Sequence, residues 1–327
     1  MTVKESVLKI LEENREISIS GEELAKSLSV SRAAVWKAIN SLRNEGYNIA
    51  AGTNRGYQLT GDNDLLSSEG IKLYLNNEYK DNFIKVYKTI GSTNQEAKKL
   101  LMNEEIPHGS VLISEEQTAG RGRFRRNFFS PLNKGIYMSV ILRPNIELSK
   151  AIHITTSTAV AVCRAIENLT RKFPKIKWVN DIFLNDRKIC GILTEATGNF
   201  ESGRVESVVV GIGINFKTDE NDFPEDIKNT AGSIFKGEEP NITRNQLVAG
   251  ILNELFEMCD DLNDESIMKE YKVLSFVIGK EVSFMKNNLV RRGKAVDISN
   301  DGALIIEFEN GERDYLNSGE ISIKDYR

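Results

Sequence analysis

Gly120-Arg121-Gly122-Arg123-Phe124-Arg125-Arg126 sets four guanidinium groups and two glycines within seven residues. Apolar, strand-like runs stand on both sides: Val111-Leu112-Ile113 before it, and Ile136-Tyr137-Met138-Ser139-Val140-Ile141-Leu142 after it. Glycine lets backbone N–H groups approach a ligand closely, and arginine supplies a planar fork matched to carboxylate and phosphate. Carried on a folded scaffold, such a loop reads as a cradle for a small polyanion. On composition alone, a solvated basic loop or an Arg/Gly segment that touches nucleic acid fits as well. The rest of the chain moves the balance to the cradle.

Working outward, further strand candidates are Ile84–Tyr87, Ile176–Trp178, Ile182–Leu184, Ile189–Leu193 and Val208–Ile214. Helices are predicted after Ser92-Thr93-Asn94 and from about Lys150 to Phe173. Hairpin-like spacing between several strands points to an α+β domain with a mixed or mainly antiparallel sheet.

Upstream, Val3, Val7, Ile10 and Leu11 recur at helical spacing, and Ser20-Gly21-Glu22-Glu23 offers a capping box for a short helix ending near Leu28. Ser31 is placed to cap a longer helix to about Glu45, with Val35, Ala38, Ile39 and Leu42 on one inward face. Ala33, Trp36, Lys37, Asn40 and Asn44 point largely away from that face, with Arg32 and Arg43 on its flanks. Gly46 stops the helix, and the runs Tyr47–Ala50 and Gly56–Leu59 read as a two-strand wing around Gly52-Thr53-Asn54-Arg55. The series is that of a winged helix-turn-helix. Four cations stand against one anion from Ser29 to Leu59, where residues 1–28 carry four against six. Ser31, Arg32, Ala33, Trp36, Lys37, Asn40 and Arg55 are therefore candidate DNA contacts. A small helical domain used for protein contacts is the bland alternative.

Downstream, a helix is expected from about Arg244 to Leu262, and then the pattern becomes short strands with Asp301-Gly302 and Asn310-Gly311 as hairpin signals. The expected division is 1–62 for the DNA module, 63–82 for a linker with a bridging helix, 83–272 for the central domain and 273–327 for the last.

With 327 residues, 40% hydrophobic and 28% charged, the chain is globular and of several domains. A net charge of −4 excludes a protein coated in positive charge, so nucleic-acid contact must come from a local patch. Cys163, Cys190 and Cys259 are widely spaced and odd in number, which speaks for a reducing compartment without a disulfide framework. Two histidines make a His-based metal centre improbable. No apolar run of membrane-spanning length and no signal core appear, so a cytoplasmic protein with no membrane partner is the expectation.

Four motifs then occur in order: Gly91-Ser92-Thr93-Asn94, Glu116–Arg123, Lys177-Trp178-Val179-Asn180-Asp181, and Asp186–Leu193. The series resembles the biotin protein ligases and, with the winged helix in front, the bifunctional ligases that also repress the biotin operon. The resemblance covers essentially the whole length. It implies a central domain of class II synthetase type and a C-terminal SH3-like β-barrel. It also implies a two-step acyl transfer: biotin and ATP give biotinyl-5′-AMP, and the biotinyl group then passes to a lysine of a biotin carboxyl carrier protein. Mg²⁺ is implied as cofactor, the adenylate as corepressor, and operator DNA and a homodimer as partners.

By the same resemblance, Arg123, Lys188 and Asp181 are the candidate catalytic groups. Ser92, Thr93, Asn94, Gln117, Gly120, Arg121, Gly122, Arg123, Lys188 and Gly191 are candidates for holding biotin. Arg121, Arg123, Arg126, Asn180, Lys188 and Asn215 are candidates for the nucleotide, and Asp181 for the metal. Gly120 and Gly122 would bring backbone amides to the ligand, and Trp178 fits a pocket wall or the core equally. Two positions depart from the family pattern: Arg125 stands where many members carry glycine, and Val179 where many carry proline. A regulator that has lost ligase chemistry would lack a cradle cation, yet Arg123 and Lys188 are both present. The Arg-Arg-x-Ser-Gly-Gly-Gly signature of lipoate ligases is absent.

Overall fold

The computed structural model describes residues 2–323 apart from 53–55, 62, 104–105, 145, 148–149, 200–202 and 263, and of 103 and 197–199 the backbone alone. The chain divides into two compact units, Met1–Lys80 with Thr243–Ala249, and Asp81–Ile242 with Gly250–Arg327.

The first unit opens with α1 (Val3–Glu13), α2 (Gly21–Ser27) and α3 (Arg32–Asn44). Thr2 with Glu5 and Ser20 with Glu23 form reciprocal capping boxes, and Ser31 Oγ accepts from Ala34 N–H. Each cap satisfies N–H groups that the first helical turn leaves without a partner. Val35, Ala38, Ile39 and Leu42 of α3 are buried against Val7, Leu8, Leu11 and Leu24. Each such large apolar side chain contributes roughly 1.5–3 kcal/mol when removed from water. Strands β1 (Ile49–Gly52) and β2 (Gly56–Leu59) pair antiparallel, with Ile49 opposite Leu59. Arg43 closes the helix onto this wing, both its Nε and Nη2 donating to Ile49 O at 3.0 and 2.7 Å.

Residues 63–80, read from sequence as a linker, group with this unit. Ser67 caps α4 (Ser68–Tyr74), the bridging helix. Asp64 accepts from the backbone N and Nε of Arg244, whose side chain is 1% exposed. Asn245 accepts from Ser67 N and donates to Leu65 O. These partners lie some 180 positions apart in the chain, beyond any local pattern.

In the second unit the order is β3 (Ile84–Tyr87), α5 (Thr93–Asn103), β4 (Ser110–Ser114), β5 (Gly135–Leu142), β6 (Ile146–Glu147), α6 (Ala151–Thr170), β7 (Lys175–Lys177), β8 (Asp181–Leu184), β9 (Arg187–Asn199) and β10 (Arg204–Asn215). Among the described residues these strands form one sheet in the order β3-β4-β5-β10-β9-β8-β7, with β6 against β10. Only the β3–β4 pair is parallel, so the sheet is mixed and mainly antiparallel. Every residue of β5 is buried, as is nearly all of β10 from Val208 on. The apolar run that follows the arginine loop is therefore β5, paired with β10 in the middle of the sheet and covered on both faces, and the run before the loop is β4.

Helices α7 (Arg244–Asp260) and α8 (Glu265–Leu274) follow. The second escaped the sequence reading, although Asp264 caps it. Its Tyr271 is fully buried and donates to Val179 O at 2.9 Å. The remaining strands, β11 (Glu281–Lys286), β12 (Leu289–Ile298), β13 (Leu304–Glu307), β14 (Arg313–Leu316) and β15 (Ile321–Ile323), form an antiparallel sheet in the order β14-β13-β12-β11-β15. Gly302 and Gly311 do sit at positive φ, 78° and 82°, but their loops exceed two residues, closed by Ser299 N to Ala303 O and Phe308 N to Glu312 O. The two-residue turn is Asn287-Asn288, both left-handed, and β15 was not anticipated.

Truncating Asp64 tests the buried ion pair. Asp64→Ala leaves the Arg244 guanidinium buried without its carboxylate, and a loss of about 3 kcal/mol is expected in urea unfolding of the first unit. A change under 1 kcal/mol would show that water replaces the carboxylate.

Candidate functional site

A cavity of about 460 Å³ lies against β5, β9 and β10, and the arginine–glycine loop lines it too. Of the sequence-predicted site residues it gathers Ser92, Thr93, Asn94, Gln117, Arg121, Gly122, Arg123, Arg126, Asn180, Asp181, Lys188 and Gly191. Gly120 and Asn215 are not among its lining residues.

One end is built from neutral polar groups. Thr93 donates from both backbone N and Oγ1 to Gln117 Oε1, at 2.9 and 3.2 Å, and Gln117 Nε2 donates to Ser130 Oγ. Ser139 Oγ lies 2.7 Å from Thr93 Oγ1 and 2.6 Å from Asn94 Oδ1. Asn94 Nδ2 donates to Leu193 O and to Glu195, which Lys98 pairs at 2.7 Å. Asn94 is thus engaged on both sides of its amide, which makes it a brace for this end. Ser139, Glu195 and Ser130 were missed because nothing in their local sequence marks them. Beside the network, Gly211 and Gly213 leave β10 bare. A Cβ at Gly211 would overlap the Asn94 amide, and one at Gly213 would come within 2.6 Å of the Phe128 ring. Phe128, also missed, gives this stretch an apolar surface next to Tyr137, ring centroids 6.4 Å apart.

The other end is charged. Lys188 Nζ pairs with Asp181 Oδ1 at 2.7 Å, and Asn180 Nδ2 donates to that same oxygen at 3.2 Å and to Ile192 O at 2.9 Å. Asn180 Oδ1 accepts from Arg123 Nη1 at 2.8 Å. A continuous chain, Arg123–Asn180–Asp181–Lys188, therefore holds two cations in fixed relation. Burial pulls the Arg123 guanidinium below its ordinary pKa, opposed by Asp181 and Glu320, and pulls Lys177 down as well, opposed first by Asp181. Among the described lining residues, Arg121, Arg123, Arg126, Lys177 and Lys188 face Asp181, Asp186 and Glu320. Partly desolvated cations in excess over carboxylates make an environment that an anion stabilises.

Several of the predicted residues already have partners within the chain. Gly120 is a glycine for packing: a Cβ there would lie 2.5 Å from Phe128 O and 2.7 Å from Ser130 Oγ. The N–H of Gly122 donates to Arg126 O at 2.8 Å. Asn215 Nδ2 donates to Gly232 O at 2.9 Å, in a buried position away from the cavity lining. Asp181 is already engaged, its Oδ1 shared by Lys188 and Asn180, and no group of three or more His, Cys, Asp or Glu side chains that could hold a metal occurs among the described residues. Trp178 belongs to the core, 3% exposed, its Nε1 donating to Gly302 O. The Trp178–Val179 peptide is cis. Cys190 is buried, and burial pushes its thiol well up, as befits a packed residue.

The loop arginines have distinct partners. With the Gln95 amide turned so that its oxygen faces the loop, that oxygen accepts from Arg121 Nη1 and Nη2 at 2.7 Å, and Arg126 Nη1 pairs with Glu320 at 2.7 Å. The final strand also brings Ser322 and Ile323 to the lining. Phe124 and Arg125 have φ of 54° and 60°, the left-handed region where glycine is unstrained. That explains why glycine suits position 125.

On α3, Ser31, Arg32, Ala33, Trp36 and Lys37 are exposed, Trp36 by 58%, and Asn40 is half-buried. Ser31 spends its hydroxyl oxygen on the helix cap. Arg55 lies outside the described residues.

A helix-turn-helix followed by this sheet, cavity and small antiparallel sheet defines a ligase domain joined to a DNA-binding module. The HTH domain matches residues 3–58, the Biotin/lipoate A/B protein ligase family 86–215, and the Biotin protein ligase C terminal domain 277–324. The chain is 33% identical over 318 residues to the "Bifunctional ligase/repressor BirA" of Bacillus subtilis, covering 95% of each, and 29% identical to that of Escherichia coli, covering 93% of this chain and 92% of that one. In three dimensions it is similar to the biotin protein ligase from Aquifex aeolicus solved with biotin and ATP, at 25% identity and a TM-score of 0.63 over 74% of this chain and 98% of that one. The chain belongs to the BirA family of bifunctional ligase/repressors.

The left-handed loop offers a direct measurement. Arg125→Gly and Arg125→Ala remove the same side-chain functions, and the glycine variant is expected to be about 1 kcal/mol more stable in urea, reversing the usual order. Equal stabilities would mean the loop relaxes out of this conformation.

Proposed function

We propose that the chain is a cytoplasmic biotin–protein ligase that also represses transcription in response to its own reaction intermediate. The observation that carries the reading is the pair of cations, Arg123 and Lys188, fixed through Asn180 and Asp181 at the end of a cavity whose other end is neutral and hydrogen-bonding. Biotin has the matching shape: a neutral ureido head for Thr93 and Gln117, an apolar ring and chain for Phe128 and the bare glycines, and a carboxylate for the cations.

In the first step a biotin carboxylate oxygen attacks the α-phosphorus of ATP. A P–O bond forms, the bond to the β-phosphate oxygen breaks, and pyrophosphate leaves. Two anions must meet, so charge at the reacting phosphorus has to be offset; Lys188 and Arg123 supply that offset without reorganising. Mg²⁺ would be held chiefly by the polyphosphate, since among the described residues no group of carboxylates could cage it, and it would offset phosphate charge there. In the second step the amine of a carrier-domain lysine attacks the acyl carbon, AMP departs with the mixed-anhydride electrons, and the amine loses a proton. Asp181, already within hydrogen-bond reach of Lys188, is placed to take part in handling that charge. Arg121 and Arg126 would hold the loop over the nucleotide.

The central sheet is read as class II synthetase-like and the last five strands as an SH3-like barrel, with the functional divisions near 62, 82 and 272. The adenylate serves as corepressor, favouring a homodimer that sets two copies of α3 on operator DNA. The exposed face of α3 supports this reading, with Arg32, Trp36 and Lys37 presented to solvent.

The defining experiment combines labelled biotin, ATP, Mg²⁺ and an apo carrier domain; failure to label the carrier would overturn the ligase reading. Lys188→Ala is expected to slow ATP–pyrophosphate exchange by roughly 10²–10³-fold, the usual cost of removing a group that stabilises developing charge. An undiminished rate would remove Lys188 from the chemistry. Lys37→Ala should weaken operator binding, lower the slope of log K against log salt by about 1, and leave exchange within twofold. A salt slope identical to that of the unaltered protein would remove Lys37 from the phosphate contacts.

A further inference from the structure

Arg187 stands next to Lys188 at the start of β9, and its side chain points toward the segment between β10 and α7. Its Nη1 donates to Lys228 O at 2.6 Å and to Ala231 O at 3.3 Å, and its Nη2 lies 3.6 Å from Glu220 Oε1. One guanidinium thus grips both arms of the loop 217–235, the outgoing arm at Glu220 and the returning arm at 228–231. Lys236 joins Glu220 at 2.6 Å. The ends of the loop are tied independently, with Phe235 N donating to Phe216 O and the two rings 5.0 Å apart. Its returning arm runs along the strand residue beside Arg187: Lys188 N donates to Thr230 O at 2.8 Å and Gly232 N to Lys188 O at 2.9 Å. Gly232 is cradled against the arginine, since a Cβ there would stand 2.5 Å from Arg187 Cβ.

Two residues of this loop, Ile227 and Thr230, line the cavity. Their place along it follows from β9. Leu193, at the neutral end, is bonded by Asn94, and Lys188 lies five residues back, about 16 Å away at ~3.3 Å per residue. A loop bonded at Lys188 is therefore at the charged end of the cavity, away from the neutral network. We infer that Arg187 is a positioning residue for the nucleotide: it clamps the 217–235 loop so that Ile227 and Thr230 form the wall against which the nucleoside part of ATP rests. This rests on the ligase reading above. The fork geometry matters, because two carbonyls and a carboxylate are engaged by one planar group, which an ammonium cannot reproduce.

The test uses full-length protein in ATP–pyrophosphate exchange, with biotin affinity measured separately by calorimetry without nucleotide. Arg187→Met, which keeps the aliphatic stem, is expected to raise KM for ATP tenfold or more, with kcat at saturating ATP and the Kd for biotin within twofold. Arg187→Lys should fail to restore KM, and Gly232→Ala, which pushes the loop off the arginine stem, should reproduce the same ATP-selective defect. An unchanged KM for ATP in Arg187→Met would overturn the inference, and so would a parallel loss of biotin affinity, which would mark a general structural effect. The two readings separate cleanly: exchange absent from the unaltered protein sinks the ligase reading, whereas normal exchange with an ATP-indifferent Arg187→Met sinks only the clamp.

Discussion

The hydrogen-bonded chain from Arg123 through Asn180 and Asp181 to Lys188 is the constraint on which the site depends. Two cations facing one cavity repel each other and, when partly buried, are costly to keep charged. Asp181 relieves that cost at one end, and the neutral Asn180 passes the restraint to the other without cancelling the second charge. The outcome is a pair of cations held in place with capacity left to stabilise an arriving anion. Preorganisation of this kind is what lowers a barrier between two negative reactants, because the stabilising dipoles need not move during the reaction.

The scaffold explains why the chain can be held so firmly. Asp181 begins β8, Lys188 sits on β9, and the turn carrying Asn180 is fastened from behind by Tyr271 of α8 through Val179 O. Asn180 reaches across to Ile192 O on β9 as well. Asp181 and Lys188 are thereby attached to strands of the central sheet, whereas Arg123 belongs to the arginine loop, held by Asn180 and by side-chain pairs such as Arg126–Glu320 that are solvent-exposed and individually weak. A firm floor and a weakly pinned loop suit a site that must admit a nucleotide, close over it, and then open to a protein substrate.

The same contrast governs which residues were legible. Helix caps at Ser20 and Ser31, the buried stripe of α3, and the apolar runs of β5 and β10 depend on neighbours within a few residues, so spacing alone places them. The motif glycines were legible as glycines but not by role. Gly120 answers to Phe128 and Ser130 on the returning arm of its loop, and Gly122 gives its N–H to Arg126. The reach of Asn215 toward Gly232 and the bracing of Asn94 by Ser139 and Glu195 were equally hidden. The three residues of β15 are too few for periodicity to register, whereas the ten-residue α8, capped by Asp264, did carry a local signal.

By itself the sequence determined the helix-turn-helix, the identity of the central strands and the cations of the cradle, because capping chemistry, side-chain period and charge are local properties of the chain. Tertiary structure alone decided that Asp181 is an ion-pair partner, that Asn215 stays in the core, that Arg187 grips a loop some 40 residues further on, and that residues 63–80 join the first unit through Asp64 and Arg244. Such pairings form between segments far apart in the chain. Only packing brings their donors and acceptors within hydrogen-bond distance, and burial then obliges each polar group to find a partner.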